Sequence, residues 1–358
     1  MLIGSYGESK MKILLISPLP PPIGGMATWT KLYINSIKNK KNYYVKIIDT
    51  AIKGIRVHNL IKKNLWGEIK RAISIYIKVS KALVESKFDI AHLNIACSKW
   101  GMLRDYLIVK KIKKKGIKLI LHCHCDTSYQ VKGVMAEFML KKLIKYSDII
   151  ICLNQNSEKH IKNLTNKKTY IIPNFIKIDM MQQEKRISKK IKSIIYVGHI
   201  IKSKGCDTII NVAKQLPNII FKLVGFLSDE IKVLDCPNNV LFTGEISKDD
   251  VIKEMQKADL LLFPSHTEGF PNVVLEAMAY GLPVIATRVG AIPDMLENKG
   301  GIYVDINDVE GIINAIHLLE NAEKRTQMSK WNINKVLNNY TVDIVMKQIL
   351  NIYDRDDK

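Results

Sequence analysis

Ser265-His-Thr-Glu-Gly-Phe-Pro-Asn-Val-Val-Leu-Glu-Ala-Met-Ala-Tyr-Gly-Leu-Pro-Val-Ile-Ala-Thr287 follows Ala258-Asp-Leu-Leu-Leu-Phe263, an apolar run of the length that suits a strand buried in a parallel sheet. The strand is expected to end near Pro264. Gly269, Phe270, Pro271 and Asn272 then form a turn whose backbone can approach a ligand closely. Val273 to Tyr280 reads as a helix, with Gly281 as its stop and Pro283 just beyond. Val284 to Thr287 is the next strand. Ligands of an open α/β sheet sit outside the carboxyl ends of its strands, where this turn falls. The N-terminus of the Val273 helix favours an anion there. Glu268 before the turn and Glu276 one turn into the helix flank that place with carboxylates, which repel further negative charge but accept hydrogen bonds from sugar hydroxyls. Together these features describe a site for a sugar nucleotide.

Two glutamates separated by seven residues are common on solvated helix faces, but the longer word, Phe-Pro-Ser-x-x-Glu-Gly-Phe-Pro-Asn-Val-Val-Leu-Glu-Ala-Met-Ala-x-Gly-x-Pro-Val-Ile-Ala-Thr, is specific. It resembles the E-x7-E signature of retaining glycosyltransferases of family 4. The resemblance implies an α/β chain of the GT-B fold: two Rossmann-like, doubly wound domains facing across a cleft, with a C-terminal helix crossing back to the first. The expected division is 1–180 for an acceptor-binding domain, 181–190 for a linker, 191–340 for the sugar-nucleotide domain and 341–358 for the crossing helix.

At 358 residues the chain is long enough for two such domains, and 47% apolar with 25% charged residues is ordinary globular composition. No run of eighteen apolar residues occurs, and Met1 to Lys10 lacks the apolar core of a signal peptide, so the protein is expected in the cytoplasm. Six cysteines show no paired framework and read as reduced thiols. His122-Cys-His-Cys125 lacks the wider spacing and second cluster of a zinc site, so no metal is expected. The formal charge of +21 is lopsided: residues 1–180 hold 33 Lys and Arg against 11 Asp and Glu, the remainder 22 against 23. An anionic partner of the first half is implied, either nucleic acid or an anionic membrane face. With no nucleic-acid motif present, the membrane is the better reading.

Along the first half, Lys12 to Pro18 is a strand and Met26 to Ile37 a helix, joined by a proline-rich loop. Gly24 and Gly25 there let backbone come close to a ligand. From Leu60 to Leu83, Ile61, Leu65, Ile69, Ile73, Tyr76, Val79 and Leu83 form the inward stripe of a helix, with Trp66 off the stripe and Lys62, Lys63, Lys70 and Arg71 among the charges around it. Such a helix either lies on a membrane surface or presents a solvated basic face. Phe88 to Ile95 and Lys118 to Leu121 are strands, and His122 and His124 leave the end of the second. In the second half, Ser193 to Gly198 is a strand followed by His199-Ile-Ile-Lys-Ser-Lys-Gly205, and Cys206 to Gln215 a helix. This loop resembles the family's G-R-x-x-x-x-K-G, with Gly198, Lys204 and Gly205 matching and His199 in place of Arg.

The resemblance then implies roles. Lys204, His199, Gly198 and the backbone of Gly269 to Asn272 would hold the diphosphate, Glu276 the ribose, Glu268 the transferred sugar, and His124 rather than His122 would face that sugar, with Gly24 and Gly25 lining the same place. The donor is a nucleotide-diphosphate sugar, no cofactor is called for, and leaving-group charge is met by Lys204 and a helix end without a metal. The implied acceptor is a saccharide or lipid-linked saccharide of bacterial cell-surface polysaccharide synthesis, on the inner face of the cytoplasmic membrane. A GT-B nucleotide-sugar epimerase and a basic nucleic-acid-binding protein are the alternatives; the latter leaves the Glu268 to Thr287 word unexplained.

Overall fold

A computed structural model describes residues 2–3, 10–22, 24–52, 65–177 and 187–355. The chain divides into two compact units, Met1–Asn174 with Val342–Lys358, and Phe175–Thr341. In the first, strands β1 (Leu2–Ile3), β2 (Met11–Ser17), β3 (Tyr43–Asp49), β4 (Ile90–Ile95), β5 (Lys118–Cys123), β6 (Ile149–Cys152) and β7 (Thr169–Ile171) form one sheet in the order β1-β3-β2-β4-β5-β6-β7. All pairs are parallel except β1 on β3, so a short antiparallel strand precedes the first expected one. Helices α1 (Gly25–Ile37), α2 (Leu65–Glu85), α3 (Lys99–Lys113), α4 (Thr127–Gln130), α5 (Val134–Tyr146) and α6 (Gln155–Leu164) link the strands.

The strands are apolar without interruption because both faces are covered. Leu14, Ile16, Ala91, Leu93, Leu119 and Leu121 share one core with the inner sides of α2, α3 and α5. Alternate residues point to the opposite face, where α1 packs. Within α2 the buried line is Ile75, Val79, Ala82 and Leu83, while Ile73 is 54% exposed and Ile77 57%. Ile73 therefore does not belong to the inward stripe. The helix carries two apolar lines, and periodicity alone could not say which meets the sheet. Arg71 is also no free surface cation, since it pairs with Glu68 at 2.7 Å and donates to the Thr50 carbonyl at 3.0 Å. Ile61, Lys62 and Lys63 lie outside the described residues.

The second unit holds β8 (Ser193–Val197), β9 (Ile220–Val224), β10 (Val240–Gly244), β11 (Leu260–Phe263), β12 (Val284–Thr287) and β13 (Gly301–Val304), with α7 (Cys206–Gln215), α8 (Asp229–Lys232), α9 (Lys248–Lys257), α10 (Asn272–Ala279), α11 (Ile292–Leu296), α12 (Val309–Leu318) and α13 (Ala322–Asn339). Its sheet runs β10-β9-β8-β11-β12-β13, wholly parallel. The chain starts at the centre, winds outward to β10 and returns to β11 beside β8. The order reverses there, which makes β8/β11 the switch point where such sheets bind ligands. Of the expected linker, 181–186 lie outside the described residues. Ser188 is fixed to this unit, its carbonyl accepting from Arg325 at 2.9 Å and its hydroxyl donating to Asp259.

Helix α14 (Val342–Tyr353) belongs to the first unit, as expected of a closing helix, and packs on α1. Its last residue, Tyr353, meets His92 Nδ1 at 2.6 Å and the Tyr33 hydroxyl at 3.0 Å. The folds of both units are thus Rossmann-like.

Candidate active site

The loops leaving β8 and β11 meet at the switch point of the second unit. A short 3₁₀ turn, Lys202–Lys204, follows β8 and ends at Gly205, whose φ of 72° is left-handed. A Cβ at Gly205 would stand 2.2 Å from the Pro264 carbonyl oxygen, so only glycine lets the two loops touch. His266 N–H donates to the Ser203 carbonyl at 3.1 Å, a second tie between them. This contact carries Lys204 to Glu268: Nζ lies 2.6 Å from Oε1, with another bond of 3.1 Å to the Thr267 carbonyl. Ser265 donates to the same Oε1 at 2.9 Å. An ammonium has three donors and two are used here. Both bonds to Glu268 fall on Oε1, so Oε2 faces no hydrogen-bond partner among the described residues.

The turn after Glu268 is held from behind. Ala291 N–H donates to the Gly269 carbonyl at 2.9 Å, and Gly290, at φ 55°, lies so close that a Cβ would stand 2.3 Å from the Glu268 carbonyl oxygen. Phe270 is buried edge-on against Tyr340 at 5.8 Å, so its ring anchors the turn. Helix α10 starts at Asn272 with buried Pro271 as its N-cap, and proline supplies no capping side chain. The positive end of the helix therefore carries no side-chain cap of its own. One turn on, half-buried Glu276 meets Lys248 Nζ of α9 at 3.2 Å. Burial pushes its carboxyl above the usual range and the lysine only partly offsets this. His199 is exposed, with its ring edge-on to Phe226 at 6.5 Å, and Gly198 closes β8 by donating to the Val224 carbonyl at 2.9 Å.

Sequence reasoning therefore finds Lys204, Glu268, Gly269 to Asn272 and Glu276 in one neighbourhood. It missed Ser265, Lys248 and Gly290. Ser265 lay inside the quoted word and Gly290 three residues beyond its end. Lys248, on a different helix, had no local signal.

In the first unit the expected site residues gather at the carboxyl ends of β2, β4 and β5. Gly24, in extended backbone, caps α1, which starts at Gly25 without a side-chain cap, and a Cβ at Gly24 would meet open space. Trp29 of α1 lies 5.3 Å edge-on from both His122 and His124, and those two rings are 4.0 Å apart. His122 Nδ1 is 3.2 Å from His92 Nε2, which continues the chain to Tyr353. Burial makes an imidazolium costly, so His92 and His124 are each pulled down to about 3 and His122 well below its usual range. All three are neutral at physiological pH. His124 Nε2 and His122 Nε2 are both buried without a hydrogen-bond partner among the described residues. Strand alternation sends Cys123 to the opposite core with Cys125, Cys97 and Cys152, so the His122 to Cys125 run does not converge on one point.

Residues 177–335 match the model of the family glycosyl transferases group 1. The chain is 27% identical, over 81% of its length and 85% of the relative's, to an uncharacterized 41.2 kDa protein in the cps region of Klebsiella pneumoniae. It is 24% identical, over 89% and 88%, to the Escherichia coli UDP-Gal:alpha-D-GlcNAc-diphosphoundecaprenol alpha-1,3-galactosyltransferase. Among solved structures, Anabaena HepE in complex with UDP superposes with a TM-score of 0.72 at 16% identity, covering 96% of this chain and 99% of that one. The second unit is thus similar over nearly all of its length to the glycosyl transferases group 1 model, in a chain whose fold is GT-B.

Proposed function

We propose that the chain is a retaining glycosyltransferase of family 4 that moves a sugar from a nucleotide-diphosphate donor to a hydroxyl of a lipid-linked saccharide in cell-surface polysaccharide synthesis. The observation that carries this reading is the Lys204–Glu268 pair at the β8/β11 switch point, with Glu268 in the loop that leads into α10. The E. coli and Klebsiella relatives support the acceptor class and setting. Charge builds on the β-phosphate as the glycosidic bond breaks, so fixed positive groups there stabilise the transition state more than the bound substrate. Lys204 keeps one N–H for that oxygen while its other two fix it to Glu268 and Thr267. Glu268 Oε2 accepts a hydroxyl of the transferred sugar, and Glu276 those of the ribose. His124, held neutral in the first unit, is the histidine to which the resemblance gives a donor-sugar role. No carboxylate stands as an obvious nucleophile, so the acceptor attacks on the face the diphosphate leaves, and Lys204 with the helix end meets the charge without a metal.

A panel of sugar nucleotides, first screened by thermal shift and then followed by NMR with an acceptor, tests the reading. The expected product keeps the donor's anomeric configuration, and turnover survives EDTA. An isomerised sugar nucleotide formed without acceptor would replace the transferase with an epimerase, and an inverted product would overturn retention.

A further inference from the structure

Helices α2, α3 and α5 lie side by side on one face of the first sheet, and in right-handed parallel crossovers each starts at the sheet's carboxyl edge. The first turns of all three expose large apolar side chains: Trp66 is 72% exposed, Trp100 53%, Val134 89% and Met135 72%. A turn or two further, Ile73, Leu103, Leu107 and Phe138 extend the patch, each 44% exposed or more. On α2, Trp66, Ile73 and Ile77 are seven and four residues apart, and on α3 Trp100, Leu103 and Leu107 three and four, so each set forms one outward line. Soluble surfaces seldom join so many exposed apolar groups.

Charge says what covers them. Lysines border the patch, and several lie along aromatic rings: Lys132 over Tyr129 at 4.4 Å, Lys142 over Phe138 at 5.0 Å and Lys110 over Tyr106 at 5.6 Å. That posture keeps the stem on apolar surface and the ammonium at its border. The acids of these helices are already engaged: Asp105 is buried against Arg104, Glu137 pairs with Lys141 at 2.8 Å, and Glu68 with Arg71. An apolar rim framed by unopposed lysines matches the acyl boundary and headgroups of an anionic bilayer, where tryptophan also prefers to sit.

We propose that the first unit docks on an anionic lipid bilayer through the N-terminal rim of α2, α3 and α5, with the carboxyl edge of its sheet turned toward the lipid. A membrane-held acceptor would then arrive at the edge that carries Gly24 and His124; this part rests on the glycosyl-transfer reading, whereas docking does not.

Co-sedimentation with vesicles of phosphatidylglycerol and phosphatidylethanolamine, against phosphatidylcholine alone, tests the docking without catalysis. The wild-type chain is expected to bind the anionic vesicles, with a blue shift of tryptophan emission, and to keep part of that binding in 0.5 M salt because apolar insertion is not screened. A Trp100→Glu/Leu107→Glu/Phe138→Glu variant is expected to lose at least tenfold in partitioning while keeping the circular dichroism and UDP-induced thermal shift of the parent. Undiminished binding by that variant, binding abolished altogether by salt, or a wild-type dimer that the variant breaks without vesicle binding in either, would each overturn the proposal. A chain that binds vesicles but no sugar nucleotide would refute the transferase reading and leave the docking intact.

Discussion

Lys204 and Glu268 are the residues whose chemistry is most sharply defined. If Lys204 acts as proposed, Lys204→Ala removes the donor that meets the developing phosphate charge, and kcat for transfer is expected to fall by about 10²–10³-fold. Steady-state kinetics decides it; an unchanged kcat ends the assignment. Glycines offer a matched test of the turn behind Glu268. Gly290→Ala combines a left-handed backbone with a Cβ 2.3 Å from the Glu268 carbonyl oxygen, whereas Gly244→Ala, at φ 70°, meets nothing within 4 Å. Gly244→Ala should cost about 1 kcal/mol, the ordinary left-handed penalty, and Gly290→Ala clearly more, with weakened nucleotide binding. Equal costs in denaturant titration would show that the close packing at Gly290 is unimportant. Sequence alone gave the identities of Lys204 and Glu268 through their motifs. Their contact, and the choice of Oε1 for both donors, depends on how two loops far apart in the chain pack, which no local pattern encodes.

Elements differ in how much of themselves they reveal. Strands β8 and β11 and helix α10 were plain because short apolar runs end at glycine or proline. Helices α5 and α13 show no clear apolar stripe in the sequence, for opposite reasons. In α5 the outward Val134, Met135 and Phe138 blur the stripe formed by Ala136, Leu140 and Leu143. In α13 the buried side includes polar anchors, with Asn332 donating to the Leu282 and Gly300 carbonyls at 2.8 and 2.9 Å, so its inner face does not look apolar. Between α9 and α10, Glu276 sets function against stability. Its folded carboxyl is raised, so the folded chain holds that proton more tightly than the unfolded one. The group's contribution is most favourable below the unfolded value and is lost as pH rises through the folded value. At neutral pH Glu276→Gln should therefore raise Tm by about 1–3 °C while sugar-nucleotide affinity falls about tenfold, the loss of a charge-assisted bond. A lower Tm with unchanged affinity would contradict both halves.

Across the molecule, the charge asymmetry and the two-unit α/β plan were legible from composition and strand rhythm, whereas the histidine chain was not. His92 lies within β4, and its contact with Tyr353 depends on a helix that starts 250 residues later in the chain. Because His92, His122 and His124 are held neutral, the unfolded chain takes up protons at these sites from about pH 6.5 downward while the folded one, at His92 and His124, waits until about 3. Stability of the first unit should fall on acidification across that window, by about 1.4 kcal/mol per pH unit for each histidine. Hydrogen exchange of β4 and β5 at pH 7 and pH 5 checks this, and a stability unchanged between the two would show that the folded rings take up protons as the unfolded ones do.

Helix α14 also constrains synthesis. The first unit begins with the earliest strands, yet its α1 packs on a helix translated after every residue of the second unit. While the ribosome works, the nascent N-terminal half must wait with an uncovered apolar flank, and the unit that emerges later can finish folding sooner. A premature stop codon just before Val342 would spare the later unit and leave the earlier one unfinished.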